Sequence, residues 1–381
     1  MLRQPLCEPA SGIDPGQLAR YSRHLTLPGV GEEGQRRIIN AKVLIIGAGG
    51  LGSPIASYLI AAGVGRIGVL DDDSIELSNL QRQIMHRESD VGRPKVDSVQ
   101  RLAAEHNSTV VIDPLNQRLS EDNALELFAA YDLVIDGSDN FSTRYLASDA
   151  AEITGTPLVW GTLFQFSGQV SVFDPRTGPM LRDIFPEIPD ADSVPSCAEG
   201  GVFGALCGVV GSVMSTEALK LITGIGLTLS GKLWLYDALA ASVRSLEFVA
   251  DPQRERVVQL GQYQPVACAV EEPCASLGVH ELAAMQRDNE VLVVDVRESW
   301  ERDIIAIPHS IHVPLDRLLA GEHALIPRDA GIIVMVCKSG VRSRKAASHM
   351  SRQQTGTGTV YSLDGGTVQW FAEIEGQEIA Y

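Results

Sequence analysis

The chain lacks an excess of positive charge. Its 381 residues carry 31 Lys and Arg against 48 Asp and Glu, a formal charge of −17. A nucleic-acid polyanion is disfavoured as a general partner, which leaves room only for a local basic pocket for one phosphorylated ligand. Cysteine is scarce: Cys7, Cys197, Cys207, Cys268, Cys274 and Cys337 are scattered, with no C-x-x-C pair. That excludes a zinc knuckle and a thioredoxin motif. Few isolated thiols suit a reducing compartment, so a cytoplasmic protein is expected. Arg3 has no apolar run behind it, so no secretory signal is read there. Long hydrophobic runs are missing too. The uncharged stretch from Val43 to Gly65 is broken by Gly47, Gly49, Gly50, Gly52 and Pro54. The stretch from Gly200 to Thr216 is shorter than the roughly 20 residues a bilayer requires. A buried glycine-rich helix is expected there, and no membrane partner.

What is present reads as alternation. Apolar residues make up 45% and charged residues 21%, and the length suits two or three domains. After a polar start with a helical patch from Asp14, strands are expected at 42–46, 66–71, 109–114, 133–136 and 158–161. Helices fall between them, at 53–62, 95–105, 121–130 and 144–154. Such alternation means a parallel sheet with helices on both faces. Strands without intervening helices follow, at 168–173, 232–236 and 243–248, with a long helix near 201–223. The fold class is therefore α/β: a Rossmann-like domain with a mixed sheet over 1–250, a linker over 251–275, and a smaller α/β domain over 276–381. The last domain has expected strands at 290–295, 332–336 and 360–363 and a helix at 342–353.

Gly47-Ala48-Gly49-Gly50-Leu51-Gly52 satisfies G-x-G-x-x-G between a strand and a helix. Its backbone N–H groups and helix N-terminus suit a phosphate. Asp71 ends the next strand, placed to accept from a ribose hydroxyl. These features alone do not separate a dinucleotide from ATP. Ser78-Asn79-Leu80-Gln81-Arg82, Lys95 and Asp139-Asn140 favour ATP. Arg82 and Lys95 match phosphate charge, and Asp139 offers carboxylate oxygen to Mg²⁺.

The order of GAGGLG, LDDDSIELSNLQRQ, VGRPKV and DGSDN resembles the ThiF/MoeB family of ubiquitin-activating-like adenylating enzymes. So do the entry RYSRHLTLPGVGEEGQ and the later PSCAEGGVFG. The resemblance runs from about Arg20 to Phe248. It implies that Gly50 and Asp71 contact adenosine, that Asn79, Arg82 and Lys95 contact phosphates, and that Asp139 holds Mg²⁺. It also implies a homodimer in which Arg23 reaches the partner's site. The implied substrate is the C-terminal carboxylate of a small MoaD/ThiS-like, ubiquitin-fold sulfur-carrier protein ending in Gly-Gly. A carboxylate is already ionised at neutral pH, so its attack on the α-phosphate needs no general base. Positioning and charge neutralisation suffice.

Two departures matter. Many relatives bind zinc through two C-x-x-C pairs, but the matching stretches here are Met180-Leu181-Arg182-Asp183 and Asp251-Pro252-Gln253-Arg254. A structural Zn²⁺ needs about four ligands, typically thiolates, so no zinc is expected. The zinc-less MoeZ subgroup shares this feature. The second departure is Ile307-Pro308-His309-Ser310, discussed below.

Cys337-Lys338-Ser339-Gly340-Val341-Arg342-Ser343 follows a strand and opens a helix. Converging N–H groups there stabilise a thiolate or persulfide, and Arg342 adds positive charge. With Asp295-Val296-Arg297-Glu298, the segment from Ser276 to Tyr381 resembles a rhodanese sulfurtransferase. At Ile307-Pro308-His309-Ser310, relatives usually carry His and Gly-Ala. Cys197 is either a second, resolving thiol, as the resemblance implies, or a packing residue at a helix start. The expected reaction is ATP-dependent adenylation of the carrier, then sulfur transfer from a Cys337 persulfide to give a thiocarboxylate. The sulfur donor would be thiosulfate or a cysteine-desulfurase persulfide, and the implied pathways are molybdopterin, thiamine and cysteine synthesis. The alternatives are a dinucleotide-dependent oxidoreductase, which leaves Arg82, Lys95, Asp139 and the second domain unexplained, and a non-catalytic scaffold for a ubiquitin-fold protein.

Overall fold

Strand β1 (Lys42–Ile46) carries an unbroken apolar run, KVLII, and only Lys42 is exposed. Such a strand must be covered on both faces. In the computed structural model, which describes residues 4–189, 201–261, 263, 275–287, 291–322, 324–327, 330–353 and 358–377, it is. Val43 and Ile45 enter one core with Ile55, Leu59, Val210 and Met214. Leu44 and Ile46 enter the other with Phe128, Tyr145, Leu146 and Trp160. The period of two along the strand thus divides one apolar run between two layers.

The chain forms two compact units, 1–267 and 268–381. The first holds β1, β2 (Arg66–Leu70), β3 (Val111–Leu115), β4 (Leu133–Asp136), β5 (Leu158–Phe164), β6 (Ser167–Phe173), β7 (Lys232–Asp237) and β8 (Ser242–Glu247). Their order in the sheet is β3-β2-β1-β4-β5-β6-β7-β8. The first five are parallel, with Lys42 opposite Arg66 and Val43 opposite Leu133, and β5 to β8 are antiparallel. The mixed sheet matches the expected architecture. The strand order reverses between β1 and β4, and the crevice beyond the carboxyl ends of strands at such a point is where ligands bind.

The apolar stretch near 200–216 lies in a helix, Gly204–Thr223, which among the described residues is the only one long and apolar enough to cross a membrane. Here it is a core helix. It packs so closely on helix Gly52–Ala62 that a Cβ at Gly211 would stand 2.4 Å from Pro54 Cγ. The polar start of the chain contains more order than its composition suggests. Helix Pro15–Arg20 begins with a capping box of Asp14 and Gln17, and helices Ser22–Leu25 and Gly31–Asn40 follow. Helix Gly31–Asn40 is easily overlooked because, of its ten residues, only Gly34, Gln35 and Ile38 are buried. The segment expected as a linker begins as part of the first unit, with Arg254 paired to Asp183 and Glu152 and Tyr263 only 2% exposed.

The second unit is a five-stranded parallel sheet: β9 (Ala275–Leu277), β10 (Leu292–Asp295), β11 (Ile311–His312), β12 (Ile332–Val336) and β13 (Thr359–Leu363), in the order β11-β10-β12-β13-β9. β9 and β11 have three and two residues, too few to show a periodicity. Helix Val341–Gln353 follows β12.

His309 has φ +62. A side chain in the left-handed region costs roughly 1–2 kcal/mol, less for His than for branched residues, and glycine avoids the cost. The turn therefore keeps the backbone conformation that a glycine would adopt. Changing His309 to Gly should stabilise the second unit by about 0.5–1 kcal/mol, after allowing for glycine's greater unfolded-state entropy. A thermal melt should show a higher transition temperature, and an unchanged or lower one would contradict this account of the turn.

Candidate functional sites

At the end of β1 the chain turns through Gly47, whose φ is +90. Helix Gly52–Ala62 starts so close to that turn that a Cβ at Gly52 would stand 2.0 Å from the Gly47 carbonyl oxygen. Only glycine fits at either position. The loop is held from two sides. The Ala48 N–H donates to Asp71 Oδ2 at 2.7 Å, and His86 Nε2 lies 3.0 Å from the Ala48 carbonyl oxygen. Burial lowers the His86 pKa, so its ring is neutral at neutral pH, with the Nε2 proton committed to Ala48.

Asp71 ends β2. Its Oδ1 accepts the Asp73 N–H at 2.9 Å. Burial pushes its carboxyl above the ordinary aspartate range, opposed by Lys95 and by the two backbone N–H groups. Lys95 is 6% exposed, with Nζ 2.6 Å from Asp73 Oδ2 and 3.9 Å from Asp71 Oδ1. At the end of β4, Asp136 is fully buried and accepts the Ser138 N–H, and burial raises its pKa. Asp139 is exposed just beyond it. Asn140 caps helix Phe141–Thr154 by accepting the Thr143 N–H at 2.8 Å.

The ends of β1, β2 and β4 together frame a cavity of about 900 Å³. Gly50, Asp71, Asn79, Arg82, Lys95, Asp139 and Asn140, all singled out in the sequence, line it. Ser78, Leu80 and Gln81 do not. The Ser78 hydroxyl donates to Glu76, and the Gln81 carbonyl lies against Gly204. The Arg82 guanidinium donates to the Ser78 carbonyl at 3.1 Å, and Asn79 accepts the Glu76 N–H, closing a short 3₁₀ turn. Arg23 is exposed on helix Ser22–Leu25 and does not line the cavity. Cys197 lies outside the described residues. Cys207, which has no motif, borders the cavity against Gly50 and is 1% exposed.

Sequence reasoning missed Arg144, His86 and Tyr263. Arg144 lines the cavity, is 6% exposed and donates to the Ser138 carbonyl. An arginine four residues after the helix-capping Asn140 was the available signal.

Among the described residues, no group of three or more His, Cys, Asp or Glu converges on a metal position. Mg²⁺ does not need one. It is commonly held by one or two carboxylates with water and phosphate oxygens, so the exposed Asp139 at the cavity mouth fits it.

In the second unit, Cys337 follows β12 and is 1% exposed. The Gly340 N–H donates to its sulfur at 3.2 Å, and the thiol lies 3.5 Å from Ser343 Oγ. The loop is tied down by Thr367 N–H to the Cys337 carbonyl and by Val368 N–H to the Lys338 carbonyl. Arg342 is not left to face the sulfur alone. It forms a two-bond pair with Glu301 at 2.6 and 2.7 Å. Arg297, wholly buried, makes a comparable pair with Asp295 and also donates to the Ile305 carbonyl. The sulfur therefore faces the oriented Gly340 N–H, with Arg342 held nearby in a charge-balanced pair.

A model of the ThiF family matches residues 21–257, and a model of the rhodanese-like domain matches residues 278–373. The chain is 42% identical to a Mycobacterium tuberculosis protein named "Probable adenylyltransferase/sulfurtransferase MoeZ", over 99% of this chain and 98% of the relative. It is 51% identical to the sulfur carrier protein adenylyltransferase of Thermus thermophilus, over 62% of this chain and 89% of the relative. It is 36% identical to the adenylyltransferase and sulfurtransferase MOCS3 of Sus scrofa, over 97% and 88%. Among solved structures, E. coli MccB with MccA-N7isoASN shares the fold of 64% of this chain and 75% of its own, with TM-score 0.57 and 19% identity.

Burial works to raise the Glu301 carboxyl, but Arg342 and the Glu298 N–H hold it below the ordinary glutamate range. Its contribution to stability is full above the unfolded-state value of about 4.3 and is lost as pH falls through the lower folded-state value. Glu301→Gln should cost the second unit about 1.5–3 kcal/mol at neutral pH and flatten its acid-side loss of stability. Denaturant titrations from neutral to acid pH would check this. An unchanged acid slope would remove Glu301 from the account.

Proposed function

The chain belongs to the ThiF family and carries a rhodanese-like domain in the same polypeptide; from that premise we propose that it activates a small sulfur-carrier protein with ATP and then replaces the activated oxygen with sulfur. The supporting observation is the cavity where β1, β2 and β4 end, which brings Gly50, Asp71, Arg82, Lys95 and Asp139 to one wall system. The glycine loop receives phosphate through backbone N–H groups, while Asp71 retains acceptor capacity for a ribose hydroxyl. Arg82 and Lys95 offset phosphate charge. Asp139 would hold Mg²⁺, which when bound neutralises part of the triphosphate.

The carrier's C-terminal glycine carboxylate attacks the α-phosphorus and pyrophosphate leaves, giving an acyl-adenylate. In the second unit the Cys337 thiolate attacks the outer sulfur of thiosulfate, releasing sulfite and leaving a persulfide. A desulfurase persulfide can load Cys337 in the same way. The terminal sulfur then attacks the acyl carbon and AMP leaves, forming an acyl disulfide. A second thiol, Cys197 or an external one, attacks the Cys337 sulfur. The thiocarboxylate leaves, and the new disulfide is reduced by external thiol. Placement of Gly340 N–H and Ser343 beside the sulfur supports Cys337 as the carrier of the persulfide. The chain is further proposed to be a cytoplasmic homodimer without zinc, in which the exposed Arg23 acts at the partner's cavity.

Asp139→Ala should abolish carrier-dependent pyrophosphate release. Arg82→Ala should slow it by at least tenfold, about 1.4 kcal/mol of transition-state stabilisation. Cys337→Ala should retain pyrophosphate release and lose thiosulfate:cyanide sulfurtransfer. Normal adenylation by Asp139→Ala would remove the metal assignment. Arg23→Ala and Asp139→Ala proteins, each inactive, should regain part of the adenylation activity when mixed under subunit exchange, since a heterodimer holds one intact site. No recovery would contradict the shared site.

A further inference from the structure

Helix Phe141–Thr154 has two working ends. Its N-terminus presents Asn140 to the nucleotide cavity, and its C-terminal half carries Asp149 and Glu152. Two distant segments close on that half. Arg182 makes a two-bond pair with Asp149, both contacts at 2.8 Å. Arg254 reaches two carboxylates, with Nε 2.7 Å from Asp183 Oδ1 and Nη1 2.9 Å from Glu152 Oε2. Asp183 also accepts the backbone N–H groups of Met180 and Asp251. The carboxylates are shielded from water: side chains of Asp183, Glu152 and Asp149 are 1%, 5% and 3% exposed.

These are the two stretches in which the family resemblance implies zinc-binding cysteines. The residues here do not fit Zn²⁺: 180–183 and 251–254 carry no thiol, the Asp183 carboxylate is occupied by the Arg254 guanidinium, and Asp251 accepts the Gln253 N–H. The paired side chains join the same two segments that a metal would join.

The consequence reaches the cavity. Past Arg254 the chain leads to Tyr263, whose hydroxyl donates to Asp149 Oδ2 at 2.9 Å and accepts the Gly261 N–H at 3.2 Å. Tyr263 is 2% exposed and lines the nucleotide cavity. Asp149 therefore receives both Arg182 and a tyrosine on the cavity wall.

We infer that Arg254 acts as a metal-free clasp fixing residues 251–261, and that through this clasp Tyr263 is a positioning residue for the nucleotide. The positioning half rests on the adenylation reading, whereas the clasp does not.

The test uses the full-length chain, with direct Mg-ATP binding, ATP kinetics with carrier, and amide hydrogen exchange. Arg254→Met should accelerate exchange over 251–261 by at least about tenfold. It should also raise the KM for ATP by about five- to tenfold with kcat within about threefold. Arg254→Lys, milder in case the first variant folds poorly, should shift both in the same direction by less. Tyr263→Ala should raise KM similarly while exchange at 251–254 stays slow, and Tyr263→Phe should show a smaller rise. Wild-type protein treated with a zinc chelator and returned to Mg²⁺ should keep its slow exchange and its KM. Unchanged exchange in Arg254→Met, or exchange that becomes fast after chelation, would overturn the clasp. Unchanged KM in Tyr263→Ala would overturn the positioning role. Wild-type protein that binds no ATP would overturn the adenylation reading and the positioning role together, while the exchange data still judge the clasp.

Discussion

The Asp71 carboxylate joins the parts of the nucleotide site. One oxygen takes the N–H of Ala48 from the glycine loop, and the other takes the N–H of Asp73 from the acidic turn. Lys95 stands beside both Asp71 and Asp73. Three segments widely separated in sequence are thereby brought into register around one half-buried acid. The geometry depends on the reversal of strand order between β1 and β4, which opens space beyond Ile46, Leu70 and Asp136. In a chain of formal charge −17, the Lys95 cation at this crevice is partly neutralised by Asp71 and Asp73 before ligand arrives. Arg82, Lys95 and Arg144 at the cavity can therefore meet a phosphate group without making the surface basic.

The two units offer different means of stabilising an anion. The first uses side-chain charge with a glycine-loop backbone, as suits a multiply charged phosphate. The second has one sulfur to stabilise and uses a tight loop, with Gly340 donating directly to it. Two of its buried or half-buried arginines are committed to carboxylates, Arg342 to Glu301 and Arg297 to Asp295. Such pairs hold the loop's surroundings in one arrangement, and truncating either partner leaves a buried charge uncompensated. The two units thus present different chemistry, one on a mixed sheet and the other on a parallel one.

Much of this was legible in the sequence because the informative residues lie close together along it. The glycine loop, the acidic end of β2, the Asp139-Asn140 pair and the Cys337 loop are each short runs at the ends of strands. The boundaries of β1, β4 and β12 follow from unbroken apolar runs. What was not legible depends on distant partners. His86 acts on Ala48 across 38 residues, Arg342 meets Glu301 across 41, and Tyr263 reaches Asp149 across 114. No local spacing announces such contacts. Helix Gly31–Asn40 and the short strands β9 and β11 were missed for a second reason. They bury too few apolar residues, or are too brief, to show a period. Within the notable SNLQR run, only Asn79 and Arg82 line the cavity, because a 3₁₀ turn directs successive residues differently.

The central claim is that one polypeptide activates a carboxylate with ATP and supplies the sulfur that replaces its oxygen. The most direct test is mass spectrometry of a Gly-Gly-ended carrier incubated with the purified chain, Mg-ATP, thiosulfate and a thiol reductant. The account predicts that one oxygen of the carrier's C-terminal carboxylate is replaced by sulfur, with one AMP and one pyrophosphate formed per carrier converted. Sulfur incorporation without ATP consumption, or ATP cleavage that does not depend on the carrier, would contradict it.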